Sequence, residues 1–150
     1  MKIISKQIRE LIGVAQPALL KISPEMACQK ASPEAWSAQE ILGHLIDSAA
    51  NNHQRFVRGA QNAAGDFPTY NQNCWVQVQH YHEMNWMDLV DFFSQYNFHL
   101  CRVIDFLPQD VLDNPCNIGK ENPVPLRFII EDYLRHLEHH IEKILGPLTY

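Results

Sequence analysis

The sequence lacks the features that mark membrane, secreted and nucleic-acid-binding proteins. No apolar run approaches the ~18 residues that a membrane-spanning helix needs, so we expect no membrane partner. Charged residues interrupt the first ten positions, where a secretory signal peptide would carry its apolar core. The net charge is -5, and lysine and arginine form no cluster, which argues against a nucleic-acid ligand. A cytoplasmic location is the expectation.

Cysteine is scarce and scattered. The chain has no Cys-x-x-Cys pair, so neither a cysteine-ligated zinc site nor a disulfide framework is indicated. No cysteine has a recognisable activating partner in sequence, and a cysteine nucleophile therefore has little support. The four cysteines are Cys28, Cys74, Cys101 and Cys116.

Length and composition predict one globular domain over residues 1–150, because a chain with 46% hydrophobic and 19% charged side chains can bury a core. Apolar residues recur every three or four positions in four long stretches, which predicts four amphipathic helices. No convincing set of strands accompanies them. The expected fold is therefore all-α, a four-helix bundle. The four stretches are 4–22, 37–61, 85–107 and 126–145.

The segments between the helices contain the residues that break regular structure. Pro17 predicts a kink in the first helix or its division into two, because proline removes an amide donor. Residues 23–33 predict a connector with one helical turn, and residues 63–73 predict a loop. Residues 74–81 fit a short helix, an irregular segment or a strand. Residues 108–125 contain four prolines and predict a long crossover before the last helix.

The second helix has the clearest start. Ser37-Ala38-Gln39-Glu40 is a capping box, in which the serine side chain bonds a free amide of the first turn and the glutamate reaches back. One face of this helix is polar, and a solvated surface is one explanation for it. The polar residues are His44, Asp47, Ser48, Asn51, Arg55 and Arg58.

The last helix holds three of the eight histidines. At roughly 100° per residue, His136 and His140 fall about 40° apart on one flank of the apolar stripe, whereas His139 falls on the polar side. Two imidazoles one turn apart have the geometry of a metal chelate, and His44 is the best candidate for a third ligand. The spacing also arises by chance in a histidine-rich chain, in which case His136 is a packing residue at the core boundary.

Three histidines and one or two waters would give a metal the open coordination of a catalytic site. Zinc fits such a site, and nickel, iron and manganese are not excluded. Asp47, one turn after His44, could accept a hydrogen bond from that imidazole or from a metal-bound water; the alternative is an exposed aspartate. Four other histidines lack helically spaced partners and are predicted to be surface or packing residues, namely His53, His80, His82 and His99.

Residues 36–48 read Trp-Ser-Ala-Gln-Glu-Ile-Leu-Gly-His-Leu-Ile-Asp-Ser, and residues 136–140 read His-Leu-Glu-His-His. The first segment resembles the Trp-Ser-x-x-Glu-x-x-x-His-Leu-x-Asp-Ser opening of the second helix in the DinB superfamily. The second resembles the His-x-x-His-His segment of the same family. Its DinB/YfiT-like members are described as metal-dependent hydrolases, and the resemblance covers nearly the whole chain.

The resemblance implies a four-helix bundle of up-down-down-up connectivity, commonly a homodimer, with a divalent metal that is most often nickel or zinc. Carried over, the ligands are His44, His136 and His140. Many relatives have Gln or His three residues after the last ligand, where this chain has Lys143, which leaves the role of that position open. Relatives include thiol-dependent transferases and isomerases, so the family does not fix the substrate.

Three functions are compatible with these residues. The first is a metal-dependent hydrolase of the DinB/YfiT-like type, in which the metal activates a water or thiol. The second is a metal-dependent S-transferase for a small thiol, and both would act on small-molecule substrates. The third is a non-catalytic metal-binding or dimerising helical module, because few acid or base residues lie near the ligands.

Overall fold

Four long helices dominate the computed structural model, which describes residues 1–61 and 65–150. Helix α1 packs against α5 and α6, and α3 packs against the same two helices, so the order around the bundle is α1, α5, α3, α6. Two short helices lie in the connections. The bounds are α1 Lys2–Leu19, α2 Pro24–Ala27, α3 Ala38–Gly59, α4 Gln72–Val78, α5 Trp86–Phe106 and α6 Leu126–Leu145. The predicted all-α four-helix bundle is confirmed.

Helix α1 is continuous through Pro17, so of the two expected outcomes, a kink or a division into two helices, the division is wrong. Pro17 lies in the last turn of the helix, two residues before its end at Leu19. The amide that proline lacks would have paired with the carbonyl of Gly13, so only the final turn is affected.

Helix α3 begins with the predicted capping box. The Glu40 amide donates to Ser37 Oγ at 3.2 Å, and the Ser37 amide donates to Glu40 Oε2 at 2.8 Å. Lys30 Nζ also lies 2.8 Å from Glu40 Oε1, which ties the preceding connector to the same turn. The start of α3, and with it the phase of every side chain on the helix, is therefore fixed locally.

The bundle core holds two buried polar contacts that join neighbouring helices. The Trp86 indole donates to the carbonyl of Leu19 at 3.1 Å, and the Tyr133 hydroxyl donates to Asn97 Oδ1 at 2.6 Å. The first links α5 to the end of α1, and the second links α6 to α5. Partners of this kind satisfy polar groups that would otherwise be buried at a cost of about 1–3 kcal/mol each.

Three very short strands, which the sequence pattern does not indicate, form one sheet in the described part of the chain. Strand β1 is Gly65–Asp66, β2 is Pro115–Asn117 and β3 is Val124–Pro125. β1 pairs in parallel with β2, and β2 pairs antiparallel with β3. Strands of two or three residues are too short to show an alternating pattern in the sequence. The pairing of β1 with β2 connects the loop after α3 to the long crossover by backbone hydrogen bonds.

The loop predicted at residues 63–73 is only partly described, because residues 63 and 64 lie outside the described ranges. Gly65–Asp66 form β1, and α4 begins at Gln72. Helix α4 also shows that the segment after this loop is helical up to Val78. Across the described ranges, we find no helix long and apolar enough to cross a membrane.

Candidate metal centre

Three histidines from two helices meet inside the bundle. His44 comes from α3, and His136 and His140 come from α6. One ligand nitrogen of each ring lies within 4.8 Å of the others. The ring centroids are 5.0 Å apart for His44 and His136, 4.8 Å for His44 and His140, and 4.5 Å for His136 and His140. The packing of α3 against α6 therefore brings together all three predicted ligands.

Burial separates this triad from the neighbouring histidine. His44 is fully buried, His140 is 9% exposed and His136 is half-buried, whereas His139 is exposed. Helix phase thus divides the histidines of α6 as predicted. Trp36 covers the triad, with its ring centroid 5.0 Å from that of His44.

All three imidazoles are neutral near pH 7. Burial, with smaller contributions from the neighbouring His136 and Lys143, lowers the pKa of His44 to about 4 and that of His140 to about 3. Burial also lowers the pKa of His136, against the opposing effect of Asp132. A neutral imidazole keeps a nitrogen lone pair, which is the form that binds a metal.

The geometry of the triad fits a divalent metal. His44 Nε2 and His136 Nε2 lie 3.2 Å apart. Two nitrogens bound to one ion at about 2.0–2.1 Å would be separated by about 3.0–3.4 Å at ordinary coordination angles. Three imidazole nitrogens form a donor set suited to zinc or nickel. The residues present therefore fit the expected ion.

Two buried nitrogens of the triad lack conventional partners. His44 Nδ1 and His140 Nδ1 have no hydrogen bond to any residue that the structure describes. A buried polar atom without a partner is costly and calls for an explanation. The protein therefore buries the His44 and His140 rings without giving the Nδ1 atom of either ring a hydrogen-bond partner among the described residues.

Ser48 orients His136. Ser48 Oγ lies 3.3 Å from His136 Nδ1, and the Asn52 side-chain amide donates to Ser48 Oγ at 3.3 Å and to the Ser48 carbonyl at 2.9 Å. With its proton on Nδ1, His136 donates to Ser48 and presents the Nε2 lone pair toward His44. Partners of this kind fix the tautomer and orientation of metal-binding histidines.

Asp47 makes no hydrogen bond to His44, one of its two possible roles, because neither His44 Nδ1 nor Asp47 Oδ2 has a partner among residues 1–61 and 65–150. Instead, Asp47 Oδ1 accepts from the Tyr81 hydroxyl at 2.6 Å and from Gln79 Nε2 at 2.7 Å. Its other possible role, accepting from a metal-bound water, stays a prediction. Burial raises the pKa of Asp47, which is only 1% exposed. The alternative of an exposed aspartate is therefore wrong.

The remaining histidines stand apart from the triad. His53 contacts Tyr96 through Nδ1 at 3.2 Å and packs against His99 at 5.2 Å between ring centroids. His80 and His82 lie at the surface, where they and Glu83 form a second, fully exposed group of ligand atoms. Surface and packing roles match the prediction for these four residues.

Two cavities flank the triad. The His136 cavity has a volume of about 280 Å³ and includes the residues Ser48, Asn52, Arg55, Tyr70, Asp132 and His136. The His140 cavity has a volume of about 560 Å³ and includes the residues Trp36, Ile41, Gln72, Asn73, His140 and Lys143. Gln72 borders both cavities. Lys143 therefore lies at the mouth of the site, on the His140 side.

The sequence placed Ser48 and Arg55 on the polar face of the second helix without giving either a role at the site, and it did not indicate Asn52. Ser48, Asn52 and Arg55 follow His44 at helical spacing, so helix phase could have indicated them. Tyr81 and Gln79 could not be found in this way, because they come from a segment whose structure the sequence left open.

Comparison with known proteins supports this description of the fold. The family model described as the DinB superfamily matches residues 7–144. A similar solved structure is YfiT from Bacillus subtilis, described as a probable metal-dependent hydrolase with an unusual four-helix bundle topology. It has a TM-score of 0.84 at 14% identity, covering 94% of this chain and 81% of that one.

A second similar structure is the mycothiol-dependent maleylpyruvate isomerase, with a TM-score of 0.78 at 11% identity. The match covers 97% of this chain and 60% of the isomerase chain, so the isomerase is considerably longer. No curated protein matches the sequence. At these identities, the structural matches establish the shared fold.

Proposed function

The chain belongs to the DinB superfamily, and from this premise we propose that it is a metal-dependent hydrolase whose divalent metal, zinc or nickel, is held by His44, His136 and His140. The observation that carries the proposal is the convergence of three neutral imidazoles from two helices, with two Nε2 atoms 3.2 Å apart. The description of YfiT as a probable metal-dependent hydrolase supports the same class of reaction.

A divalent metal at this site would lower the pKa of a coordinated water or thiol and so supply a nucleophile near neutral pH. The protein's own residues prepare the site for it. Burial keeps the imidazoles unprotonated, and Ser48 holds His136 with its Nε2 facing His44. The two cavities give small molecules access from the His136 side and from the His140 side.

A second candidate, a metal-dependent S-transferase for a small thiol, is favoured by the presence of two cavities at one triad. Such a reaction needs a thiol and an electrophile to meet at the metal from different directions. The His136 and His140 cavities border different ligands and share Gln72, which suits two reactants. The mycothiol-dependent isomerase has a similar fold, and its name links that fold to a thiol in that protein.

The two reactions can be distinguished with one set of assays. Protein purified without an affinity tag is stripped of metal, reloaded with Zn²⁺ or Ni²⁺, and given activated esters and amides with and without low-molecular-weight thiols. The hydrolase proposal predicts metal-dependent turnover without thiol, lost in His136→Ala and kept in the matched His139→Ala control.

Turnover that requires both metal and thiol would instead identify the transferase. Metal-dependent turnover in neither assay would contradict both proposals and leave a non-catalytic helical module. The control is informative because His139 lies on the same helix, next to His140, yet is exposed and outside the triad.

A further inference from the structure

The His136 cavity contains one cation that the protein leaves largely unused. Arg55 is half-buried on α3, and among the described residues its guanidinium makes a single hydrogen bond, from Nη1 to Asn52 Oδ1 at 3.4 Å. No carboxylate of the described residues lies within ion-pair distance of it. A guanidinium offers five N–H donors, so most of them remain available.

The charge balance of the cavity selects the kind of ligand. Asp132 also borders the cavity; its pair with Arg135 Nη2 at 3.0 Å is exposed and therefore weak, so its negative charge still acts on this wall. Among the described lining residues, Arg55 alone offers a cationic side chain with free donors, and a group with a single negative charge can bind it with less repulsion from Asp132 than a dianion would meet.

From this arrangement we propose that the His136 cavity binds the carboxylate of a small molecule, with Arg55 as its anchor. The inference rests on the proposed function, because it makes a small carboxylic acid the substrate class of the same site. The planar guanidinium fork matches a carboxylate through two parallel hydrogen bonds. A phosphate dianion would meet stronger repulsion from Asp132 in the same cavity.

The anchor is connected to the triad by a short chain of hydrogen bonds. Arg55 donates to Asn52, Asn52 donates to Ser48 Oγ, and Ser48 Oγ contacts His136 Nδ1. Arg55 and His136 also line the same cavity, so a molecule held at Arg55 by its carboxylate occupies the cavity that His136 borders. The volume of about 280 Å³ suits a small acid, since drug-sized ligands occupy cavities of roughly 300–1,000 Å³.

Binding of benzoate and of its neutral counterpart benzamide tests this proposal. Dissociation constants are measured by ligand-observed NMR on the full-length protein after metal removal, so that coordination to a metal cannot account for binding. We expect wild type to bind benzoate at least about tenfold more tightly than benzamide, as one charge-assisted contact provides. Arg55→Met should abolish this preference by weakening benzoate alone.

Arg58→Met is the matched control. Arg58 lies one turn further along α3, is exposed, and stacks over Phe67 at 5.2 Å outside the His136 cavity. This variant should keep the preference for benzoate. If circular dichroism shows that Arg55→Met does not fold, Arg55→Lys takes its place. The preference for benzoate over benzamide should then fall by about threefold or more, because lysine lacks the planar guanidinium fork.

Equal affinity of wild type for benzoate and benzamide would overturn the proposal, as would a benzoate preference that is undiminished in the Arg55 variant. Inorganic phosphate that displaces benzoate at a concentration below the benzoate dissociation constant would overturn the carboxylate class. None of these results depends on turnover. A failed anchor therefore leaves the metal-dependent assays intact, and failed assays leave the binding result intact.

Discussion

His44 Nε2 and His136 Nε2 lie 3.2 Å apart although 92 residues separate them along the chain. The capping box at Ser37 fixes where α3 begins, and the packing of α3 against α6 fixes how the two helices face each other. The separation of these nitrogens is thus set by the fold of the bundle. A metal would meet ligands that are already in place, which reduces the conformational entropy lost on binding.

Ser48→Ala should weaken metal binding by about 10- to 100-fold, as is usual when a hydrogen-bond partner of a ligating histidine is removed. The variant loses the contact between Ser48 Oγ and His136 Nδ1. Asn52 keeps its hydrogen bond to the backbone carbonyl of residue 48, so we expect little loss of stability. Affinity is measured by competition with a chromophoric chelator.

Ser94→Ala provides the control for this measurement. Ser94 is a fully buried serine on α5 whose hydroxyl donates to the carbonyl of Val90 within its own helix. It should retain wild-type metal affinity. Equal affinity in the two variants would show that Ser48 does not orient His136.

Gly43→Ala should destabilise the protein by about 1–3 kcal/mol, the usual cost of overpacking a core. A Cβ at this position would lie 2.2 Å from the ring carbons Cγ and Cδ2 of Tyr81. That ring is buried and its hydroxyl is held by Asp47, so it cannot move aside without breaking this contact. The free energy of unfolding is obtained from urea denaturation followed by circular dichroism.

Gly13→Ala is the opposite case in the same measurement. An added Cβ there meets nothing within 4 Å, and the residue lies inside α1. Alanine should therefore stabilise the protein by about 0.5–1 kcal/mol through its better helix propensity. If the two variants had the same stability, the close contact between α3 and Tyr81 would be contradicted.

Asp47→Asn and Asp47→Ala should behave differently in the metal-free protein at pH 7. Asparagine keeps an oxygen that can accept from Tyr81 and Gln79, and we expect a change of less than about 1 kcal/mol. Alanine leaves the buried Tyr81 hydroxyl without a partner and should cost about 1–3 kcal/mol. Similar losses in both variants would point to the charge of Asp47 as the important feature.

The difference in stability between wild type and Asp47→Asn should depend on pH with a defined sign. Burial raises the pKa of folded Asp47 above its ordinary value of 3.8. Between 3.8 and the folded pKa, the folded state therefore holds a proton that the unfolded state releases. As the pH falls through the folded pKa, wild type should therefore gain stability relative to Asp47→Asn, and the gain should be complete below 3.8. The hydroxyls of Tyr81 and Tyr70 stay neutral throughout, because burial raises the pKa of both.

Urea denaturation of wild type and Asp47→Asn at several pH values below 7 would measure this difference. The comparison removes the contribution of the histidines, which both proteins share. A stability difference that moved in favour of the variant as the pH fell would contradict a raised pKa.

Local patterns in the sequence were enough to predict the helices that build the site. The bounds of α6 and the capping box of α3 follow from periodicity and from hydrogen bonds within a single turn. Helix phase also separated His139 from His136 and His140, because the angle between neighbouring positions is a property of the helix itself. These features depend on residues close together in the chain.

Tertiary contacts account for what the sequence did not reveal. Asp47 is held by Tyr81, 34 residues away, from a 3₁₀ turn with no periodic pattern. The polar face of α3 appeared equally suited to solvent, yet His44, Asp47 and Ser48 on it are buried because α4, α6 and this turn cover the helix. The short strands at residues 115–117 and 124–125 depend on pairing across the crossover, which a local pattern does not encode.

The metal content of tag-free protein tests the central claim most directly. Inductively coupled plasma mass spectrometry should find about one divalent ion per chain in wild type and in the His139→Ala control. His44→Ala, His136→Ala and His140→Ala, each verified as folded by circular dichroism, should lose most of that metal. Full retention of metal by His140→Ala would contradict the three-histidine site.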